Sequence, residues 1–332
     1  MKAYAIKKYG KIPLELMTFP VPEVGESDIL AEIHAASVNP VDFKMRNGKV
    51  KILLKYKMPL ILGNDFAGVV TKIGKKVTKF KVGDEIYARV PKNRIGTFAE
   101  YIAVHEKAVA IKPKNLSFEE AASIPLVGLT SYQALCDIMH LEKDQKILIQ
   151  AGAGGVGTFA IQLAKIIGAH VTTTVSDAGM ELVKSLGADS VINYRQQNFE
   201  DVLTNCDAVY DTLGGEYLEK AFSIVKPNGN IVSISGLPNA KFGKQYKVGT
   251  LKTLLFSLVT RKITKLEKRS GVKYTFLFMS DSGEQLDIIR NFIEDGKIRP
   301  IVDRIFPFSE TQKALDYVES GRAKGKVIVK IK

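Results

Sequence analysis

Two kinds of hydrophobic pattern divide the chain. Residues 1 to about 120 carry short runs of β-forming residues, such as 29–33 and 66–70, punctuated by Pro and Gly. This pattern predicts an irregular, barrel-like β domain. From about 122 to 280, strand-like apolar runs alternate with segments of helical period, which is typical of a parallel sheet with crossover helices. The tail returns to a predicted strand at 298–303, a short helix, and a last strand at 326–329.

A glycine-rich loop lies at the start of the alternating segment. Residues 152–157 read GAGGVG, which fits the spacing G-x-G-x-x-G. The apolar run 146–150 before it suits a buried parallel strand, and apolar residues at helical spacing follow it. Glycine lets the backbone approach a pyrophosphate, whose charge binds to unpaired N–H groups at a helix start. This context favours a dinucleotide site over a turn that binds nothing. The predicted phosphate-binding residues are Gly154, Gly155, Val156 and Gly157.

The end of the next strand discriminates between dinucleotides. The predicted strand 170–175 is followed by Ser176 and then Asp177. A hydroxyl at this position tolerates a ribose 2′-phosphate, whereas a carboxylate accepts from the 2′-hydroxyl of NAD. With Ser176 at the strand tip, NADPH is the expected cofactor and NADH the less favoured one. If the register slips by one residue, Asp177 reverses that preference. Tyr194 and Arg195, after the third strand, are expected to supply a phenol and a cation.

Several separated motifs resemble the medium-chain dehydrogenase/reductase superfamily along the whole chain. They are AGAGGVG at 151–157, ASIPLVGLTSYQAL at 122–135, GADSVINY at 187–194 and GRAKGKVIVKI at 321–331. The resemblance implies an α/β Rossmann domain with a doubly wound parallel sheet, inserted into a β-rich catalytic domain of GroES-like fold. The expected boundaries are 1–121 and 281–332 for the catalytic domain and 122–280 for the Rossmann domain.

Many members of this superfamily hold a catalytic zinc through a Cys and a His, but this sequence carries Asn39 and Asn64 at those positions. Zinc prefers thiolate and imidazole, and an amide is a poor ligand for it. The stretch 88–96 also lacks the cysteines of the structural zinc lobe, and the four histidines stand apart from one another. We therefore expect no metal site and no zinc chemistry.

Three further stretches resemble the zinc-free quinone and enone reductases of that superfamily: NPVDFKMRNG at 39–48, YTFLFM at 274–279 and GKIRPIVDRIFPF at 296–308. This branch implies hydride transfer from NADPH to a quinone or to the C=C bond of an α,β-unsaturated carbonyl compound. Lys44 is then the expected catalytic residue, which stabilises negative charge on the carbonyl oxygen and is the candidate proton donor. The alternative is a solvated surface lysine. Asn39 is expected to donate to the substrate or the cofactor ribose, and Asp42 to orient its neighbours.

Three more residues are expected to contact the cofactor. Thr130 is predicted to begin a helix that links the domains and to contact nicotinamide or ribose, unless it caps that helix. Ser235 follows a predicted strand, at the edge where ligands of open α/β sheets collect. Phe278 is predicted on a strand, where it faces the cofactor, the core or a subunit interface.

Composition and charge limit the partners and the location expected for this protein. The net charge is +13, but the basic residues are scattered apart from a cluster within 261–269, so we expect a solvated basic face and no nucleic-acid partner. No apolar stretch is long enough to span a bilayer, so no membrane partner is expected. Two cysteines and no leader-like start indicate the cytoplasm, and the β-rich edge at 274–279 suggests a homodimer. The alternatives are a zinc-free alcohol or carbonyl dehydrogenase, and an NADPH-binding regulatory or RNA-binding protein.

Overall fold

The computed structural model describes all residues, 1–332. They form two compact units, one made of Met1–Leu129 with Ser280–Lys332 and the other of Thr130–Met279. The boundaries expected from the sequence are 121/122 and 280/281. The first boundary in the structure lies inside a helix, which no change of composition marks.

The strands, in chain order, are β1 (Lys2–Ile6), β2 (Glu15–Thr18), β3 (Asp28–Val38), β4 (Leu60–Ile61), β5 (Asp65–Ile73), β6 (Glu85–Arg89), β7 (Tyr101–His105), β8 (Val109–Ile111), β9 (Lys146–Ile149), β10 (His170–Val175), β11 (Ser190–Asn193), β12 (Cys206–Asp211), β13 (Val225–Ser233), β14 (Lys273–Phe276), β15 (Val302–Pro307) and β16 (Lys326–Lys330).

The helices are α1 (Pro40–Arg46), α2 (Phe118–Ala122), α3 (Pro125–Tyr132), α4 (Gly155–Ile167), α5 (Met180–Ser185), α6 (Phe199–Val202), α7 (Gly215–Ala221), α8 (Ala240–Gln245), α9 (Thr250–Val259), α10 (Arg261–Ser270), α11 (Gly283–Glu294) and α12 (Thr311–Glu319). A π-helical segment, Gln133–Ile138, continues from α3.

The first unit is built on a GroES-like β framework that the C-terminal tail completes. Its larger sheet has the order β15-β16-β3-β5-β6-β8, with β7 paired to the other end of β3. The last strand, β16, runs antiparallel to β3, with Val329 opposite Ala36. Residues from both ends of the chain share one core, including Ile33, Phe66 and Val327. The C-terminal tail thus shares one sheet and one core with N-terminal residues.

The second unit is a six-stranded parallel sheet with the order β11-β10-β9-β12-β13-β14. This is the doubly wound Rossmann arrangement, in which the chain reverses direction across the sheet between β9 and β12. The central strand β9 is apolar and buried over Ile147–Ile149 because helices cover both faces of such a sheet. The β-branched segment at 170–175 forms β10 with the predicted bounds.

Two predicted strands differ in the structure. The tail strand expected at 298–303 begins only at Val302, because Pro300 has no N–H to donate to a ladder. The aromatic stretch at 274–279 forms a strand only as far as Phe276, so Phe278 lies beyond β14. No helix of the chain is both long enough and apolar enough to cross a membrane.

Candidate active site

Helix α1 carries the predicted catalytic stretch and is fixed at both ends. At its start, the carboxylate of Asp42 accepts from the backbone N–H of Asn39 at 2.7 Å, one half of a capping box. Pro40 occupies the first helical position, where its missing N–H costs nothing. At its end, the buried guanidinium of Arg46 donates to Glu319 of α12 at 2.6 Å. These contacts give the side chains of α1 a defined position in the first unit.

The two asparagines at the expected zinc-ligand positions lie in a buried polar network. Asn64 donates to the Asp42 carboxylate at 2.7 Å, so Asp42 joins the two segments, as its predicted orienting role requires. Asn39 donates to Asp65 at 2.9 Å, and Asp65 also accepts from Ser37 at 2.6 Å. The amide of Asn39 is only 1% exposed.

Lys326, the first residue of β16, completes this network. Its ammonium donates to the side-chain oxygen of Asn39, and its side chain is 5% exposed. Burial lowers the pKa of Lys326, and the nearby Asp65 and Asp42 carboxylates act in the opposite direction. Both ends of the Asn39 amide are therefore engaged inside the protein, which does not agree with its predicted hydrogen bond to substrate or ribose. Its geometry is that of a positioning residue.

The donor set does not fit zinc. The superfamily's metal position here holds two amides and a buried ammonium, and a second cation beside Lys326 would be repelled. No group of three or more His, Cys, Asp or Glu residues is arranged to hold a metal ion. Burial also raises the pKa of Asp42 to about 7, so this carboxyl is partly protonated near neutral pH and carries less negative charge for a metal ion.

Lys44 differs from its buried neighbours on α1 because its ammonium makes no hydrogen bond or ion pair within the protein. The side chain is half-buried, with an exposure between those of Met45 and Lys49. Burial, and then the charge of Lys49, lower the pKa of Lys44. A desolvated, unpaired ammonium is a stronger acid and a stronger electrostatic donor than a solvated lysine. The geometry therefore favours the catalytic interpretation of Lys44 over a solvated surface lysine.

Lys326, Asp65 and Arg89 were missed from the sequence. Arg89 is 4% exposed and donates to the carbonyl of Val90, while its Nε has no partner. The signal for Lys326 was present, because it is a charged residue at the head of the apolar run KVIVK. Its partner Asn39 lies 287 residues away in sequence, and only the pairing of β16 with β3 brings the two together.

The glycine loop of the second unit has the form of a phosphate-binding turn. Its helix, α4, has Gly154 as N-cap, which offers no side chain to the first-turn N–H groups. A Cβ on Gly157 would lie 2.5 Å from the carbonyl oxygen of Ala151, so helix and loop meet at a distance only glycine allows. A Cβ on Gly154 would meet only that carbonyl, at 3.3 Å, so this glycine keeps the approach to the helix start open. Ala151 has a φ of +51°, in the left-handed region that a residue with a side chain adopts at a cost.

Ser176 follows the last residue of β10, as predicted, and is half-buried at the edge where phosphate and ribose bind in this fold. Asp177 is exposed, and its carboxylate accepts from the amide of Asn193 at 2.7 Å. That hydrogen bond directs one carboxylate oxygen toward the end of β11. Tyr194 follows β11 with its ring 52% exposed, and its backbone N–H bonds to Val175.

The three remaining predicted cofactor contacts also lie in the second unit. Thr130 is buried within α3, which begins at Pro125, so the prediction that it begins or caps the helix is wrong. The hydroxyl of Ser235 donates to the carbonyl of Thr212 at 2.8 Å, near the carboxyl ends of the strands. Phe278 contacts the rings of Phe242 and Tyr246 edge-on, in an aromatic cluster against α8. None of these three contacts to the cofactor is tested by the geometry, and they stay predictions.

The predicted site residues thus fall into two groups. The structure brings Asn39 and Lys44 together at α1 in the first unit. It gathers the glycine loop and Ser176 at the carboxyl edge of the parallel sheet in the second. Burial raises the pKa of Cys136 and of Cys206 to about 11, which makes them inert thiols rather than nucleophiles.

Comparisons with known proteins agree with both units. Residues 25–114 match the family described as alcohol dehydrogenase GroES-like domain, and residues 186–329 match the family described as zinc-binding dehydrogenase. The NAD(P)H oxidoreductase RTN4IP1, mitochondrial, of Danio rerio is 35% identical over 100% of this chain and 91% of its own length. The NADPH-dependent alkenal/one oxidoreductase, chloroplastic, of Arabidopsis thaliana is 36% identical over 99% of this chain and 79% of its own. The quinone oxidoreductase structure from Coxiella burnetii superposes with a TM-score of 0.85 at 32% identity, covering 100% and 99% of the two chains.

Proposed function

The chain belongs to the medium-chain dehydrogenase/reductase superfamily, with quinone and enone reductases among its relatives. On that premise we propose that it is an NADPH-dependent, zinc-independent oxidoreductase, which transfers hydride to a quinone or to the C=C bond of an α,β-unsaturated carbonyl compound. Two features together support the proposal. The superfamily's metal position is filled by Asn39, Asn64 and Lys326, and the ammonium of Lys44 has no partner within the protein.

NADPH, when bound, supplies the hydride, and the protein must hold it and stabilise charge on the substrate. The open first turn of α4, behind the N-cap Gly154, is suited to the pyrophosphate. We assign the ribose side to the hydroxyl of Ser176, which tolerates a 2′-phosphate; this is supported by its position directly after β10 and by Asn193, which engages the carboxylate of Asp177. An enone that accepts hydride at its β-carbon would carry negative charge on its carbonyl oxygen. The ammonium of Lys44 stabilises that charge, and its lowered pKa equips it to return a proton.

The buried network has a positioning role in this mechanism. Asn39 and Asp42 fix the start of α1, and Lys326 compensates the Asp65 carboxylate behind them. In zinc-dependent relatives a metal at this position polarises the substrate oxygen. Here the Asn39 amide and the Lys326 ammonium are buried and engaged with each other and with Asp65, so neither is free to polarise a substrate oxygen. The polarising charge is therefore assigned to Lys44.

A homodimer is also part of the proposal. Strand β14 is the last in the sheet order and pairs only to β13; the backbone N–H of Tyr274 donates to Glu267, which leaves part of the outer edge for a second copy. Edge strands offer unpaired N–H and C=O groups, which symmetric pairing satisfies. Sedimentation of the purified chain tests this, and a monomer at micromolar concentration would refute it. The cytoplasm is the proposed location, supported by the free thiols of Cys136 and Cys206 and checked by cell fractionation.

The enzymatic proposal is tested by NADPH oxidation in chelator-dialysed protein. One acceptor is 1,4-benzoquinone and the other is a small enone such as 3-penten-2-one, each run against a reaction without acceptor. We expect NADPH oxidation with at least one acceptor and no stimulation by added zinc. Oxidation that appears only after zinc is restored, or none with either acceptor, would contradict the proposal.

A further inference from the structure

Helix α9 turns an apolar face to solvent. Its exposed side chains are Leu251 at 82%, Leu254 at 59%, Leu255 at 42%, Leu258 at 63% and Val259 at 51%. At 3.6 residues per turn these five positions fall within an arc of about 140°. Single exposed apolar residues are common, but a contiguous patch of this kind on a soluble protein marks an interaction surface. These five residues are called the α9 face below.

The α9 face is held outward by the other side of the helix. Phe256 is buried and packs edge-on against the ring of Phe242 in α8. Thr253 lies against Gly243, where a Cβ would come within 2.6 Å of the threonine hydroxyl, so the two helices meet closely. The leucines therefore cannot turn inward without breaking this contact.

The next helix in the chain, α10, exposes basic side chains. Helix α10 begins two residues after Val259, and its exposed basic side chains are Arg261, Lys262, Lys265, Lys268 and Arg269. Of these only Lys262 is held in an ion pair, with Glu219. Ile263 is the buried residue that fixes the helix to the unit. Two consecutive helices thus expose five apolar side chains and four unpaired cations.

We propose that the α9 face and the basic residues of α10 dock the protein on the surface of a lipid bilayer that contains anionic headgroups. An interfacial segment needs apolar side chains that enter the acyl boundary and cations that meet the headgroups, and the two adjacent helices supply both. With 10 residues, α9 is too short to span a bilayer, so the protein lies on the membrane.

The charge of α10 favours an anionic lipid surface over a second copy of the protein or a nucleic acid. A second copy on the same face would bring two sets of unpaired cations together, which opposes association. A nucleic acid would engage the cations of α10 but would leave the leucines of α9 in water. Only a surface with anionic groups above an apolar layer satisfies both helices. This differs from the expectation drawn from the sequence, which considered spanning segments and could not see an apolar face left exposed by folding.

The test is flotation of the full chain with vesicles of phosphatidylcholine alone and of phosphatidylcholine mixed with phosphatidylglycerol. We expect binding to the mixed vesicles that weakens in high salt and little binding to the neutral ones. The variant Leu254→Ser/Leu258→Ser should reduce the partition coefficient at least about tenfold. The variant Lys265→Gln/Lys268→Gln should lower it by about fivefold per charge at low salt.

Val82→Ser/Ile305→Ser is the matched control, because these residues are 60% and 52% exposed in the first unit and should leave binding unchanged. Each variant's thermal midpoint shows whether it is folded. The proposal is overturned if the parent protein does not float with anionic vesicles, or if the leucine variant floats equally well. It is also overturned if the leucine variant changes only the sedimentation coefficient, which indicates a second copy. Retention of duplex DNA by the parent, lost only in the lysine variant and without flotation, would assign the surface to nucleic acid instead.

Discussion

Replacing Lys44 by Met removes the one cation that the mechanism assigns to the substrate oxygen. Methionine keeps most of the length and volume of the lysine stem, so the packing of α1 should be preserved. Lys44 makes no hydrogen bond or ion pair within the protein, and no partner is left unsatisfied by the substitution. Burial lowers the pKa of Lys44, so the charged side chain is held at a cost to folding at neutral pH. The variant should therefore have a thermal midpoint no lower than the parent.

The expected loss follows from the environment of the ammonium. Removing one preorganised donor from a water-excluded site typically costs about 3 kcal/mol of transition-state stabilisation, or on the order of a hundredfold in kcat. Because Lys44 is only half-buried, we expect a loss in kcat no larger than this hundredfold. The loss should be smaller for a quinone, which accepts hydride more readily than an enone. The dissociation constant of NADPH should change little.

The assay compares kcat for 3-penten-2-one and for 1,4-benzoquinone, with NADPH binding measured separately by fluorescence. Lys49→Met is the control, because Lys49 is exposed and lies on the same segment. Its charge is a second cause of the lowered pKa of Lys44, so its removal should raise that pKa. In the parent, activity requires the protonated amine, and it should fall as pH rises through a value below that of an ordinary lysine. In Lys49→Met this alkaline limit should move to higher pH.

Two results would refute the reasoning. If Lys44→Met reduced the enone at the parent rate, the ammonium would not stabilise the developing charge. If Lys44→Met and Lys49→Met lost activity equally, the effect would come from the general positive field around α1. In either case the proton and the stabilising charge must come from another group.

The remaining predictions concern the cofactor site and the buried network. Ser176→Asp should weaken NADPH binding and leave NADH binding equal or stronger, measured by the two dissociation constants; equal affinity for both in the parent would place Asp177 at the ribose. Gly157→Ala should lower the thermal midpoint because its Cβ meets Ala151 at 2.5 Å, whereas Gly154→Ala should fold normally but bind NADPH more weakly; equal midpoints would contradict this. Asp42 has its pKa raised to about 7, so its contribution to stability is present below an unfolded pKa of about 4 and is lost as pH rises to 7. Asp42→Asn should flatten that part of the stability profile measured by thermal melts from pH 4 to 8, and an unchanged slope would argue against it.

Most strands and helices of the fold could be predicted from local sequence patterns. The strand at 170–175 and the glycine-loop helix follow from apolar runs, β-branched residues and helical spacing, all of which act over a few residues. The start of α3 was misplaced, although Pro125 at its first position is the usual signal for a helix start. The late start of β15 has the same kind of cause, since Pro300 removes a ladder donor.

The network around Asn39 could be predicted only in part, because it depends on long-range contacts. The sequence identified Asn39 and Asn64 as poor zinc ligands, but it could not show that Lys326 is their neighbour. Nor could it show that the Asn39 amide is fully engaged by Asp65 and Lys326. The α9 face illustrates the converse. Apolar residues at helical spacing predict a buried face, and only the packing of Phe256 shows that the opposite side is the buried one.

The most direct test of the account follows the hydride itself. Chelator-treated protein is incubated with 3-penten-2-one and NADPH that carries deuterium at the transferable C4 position, and the product is analysed by mass spectrometry and NMR. If hydride is transferred to the β-carbon without a metal, we expect the saturated ketone with deuterium on that carbon, formed without added metal. An allylic alcohol with deuterium on the carbon that bears the hydroxyl would contradict this and identify a zinc-free carbonyl dehydrogenase instead.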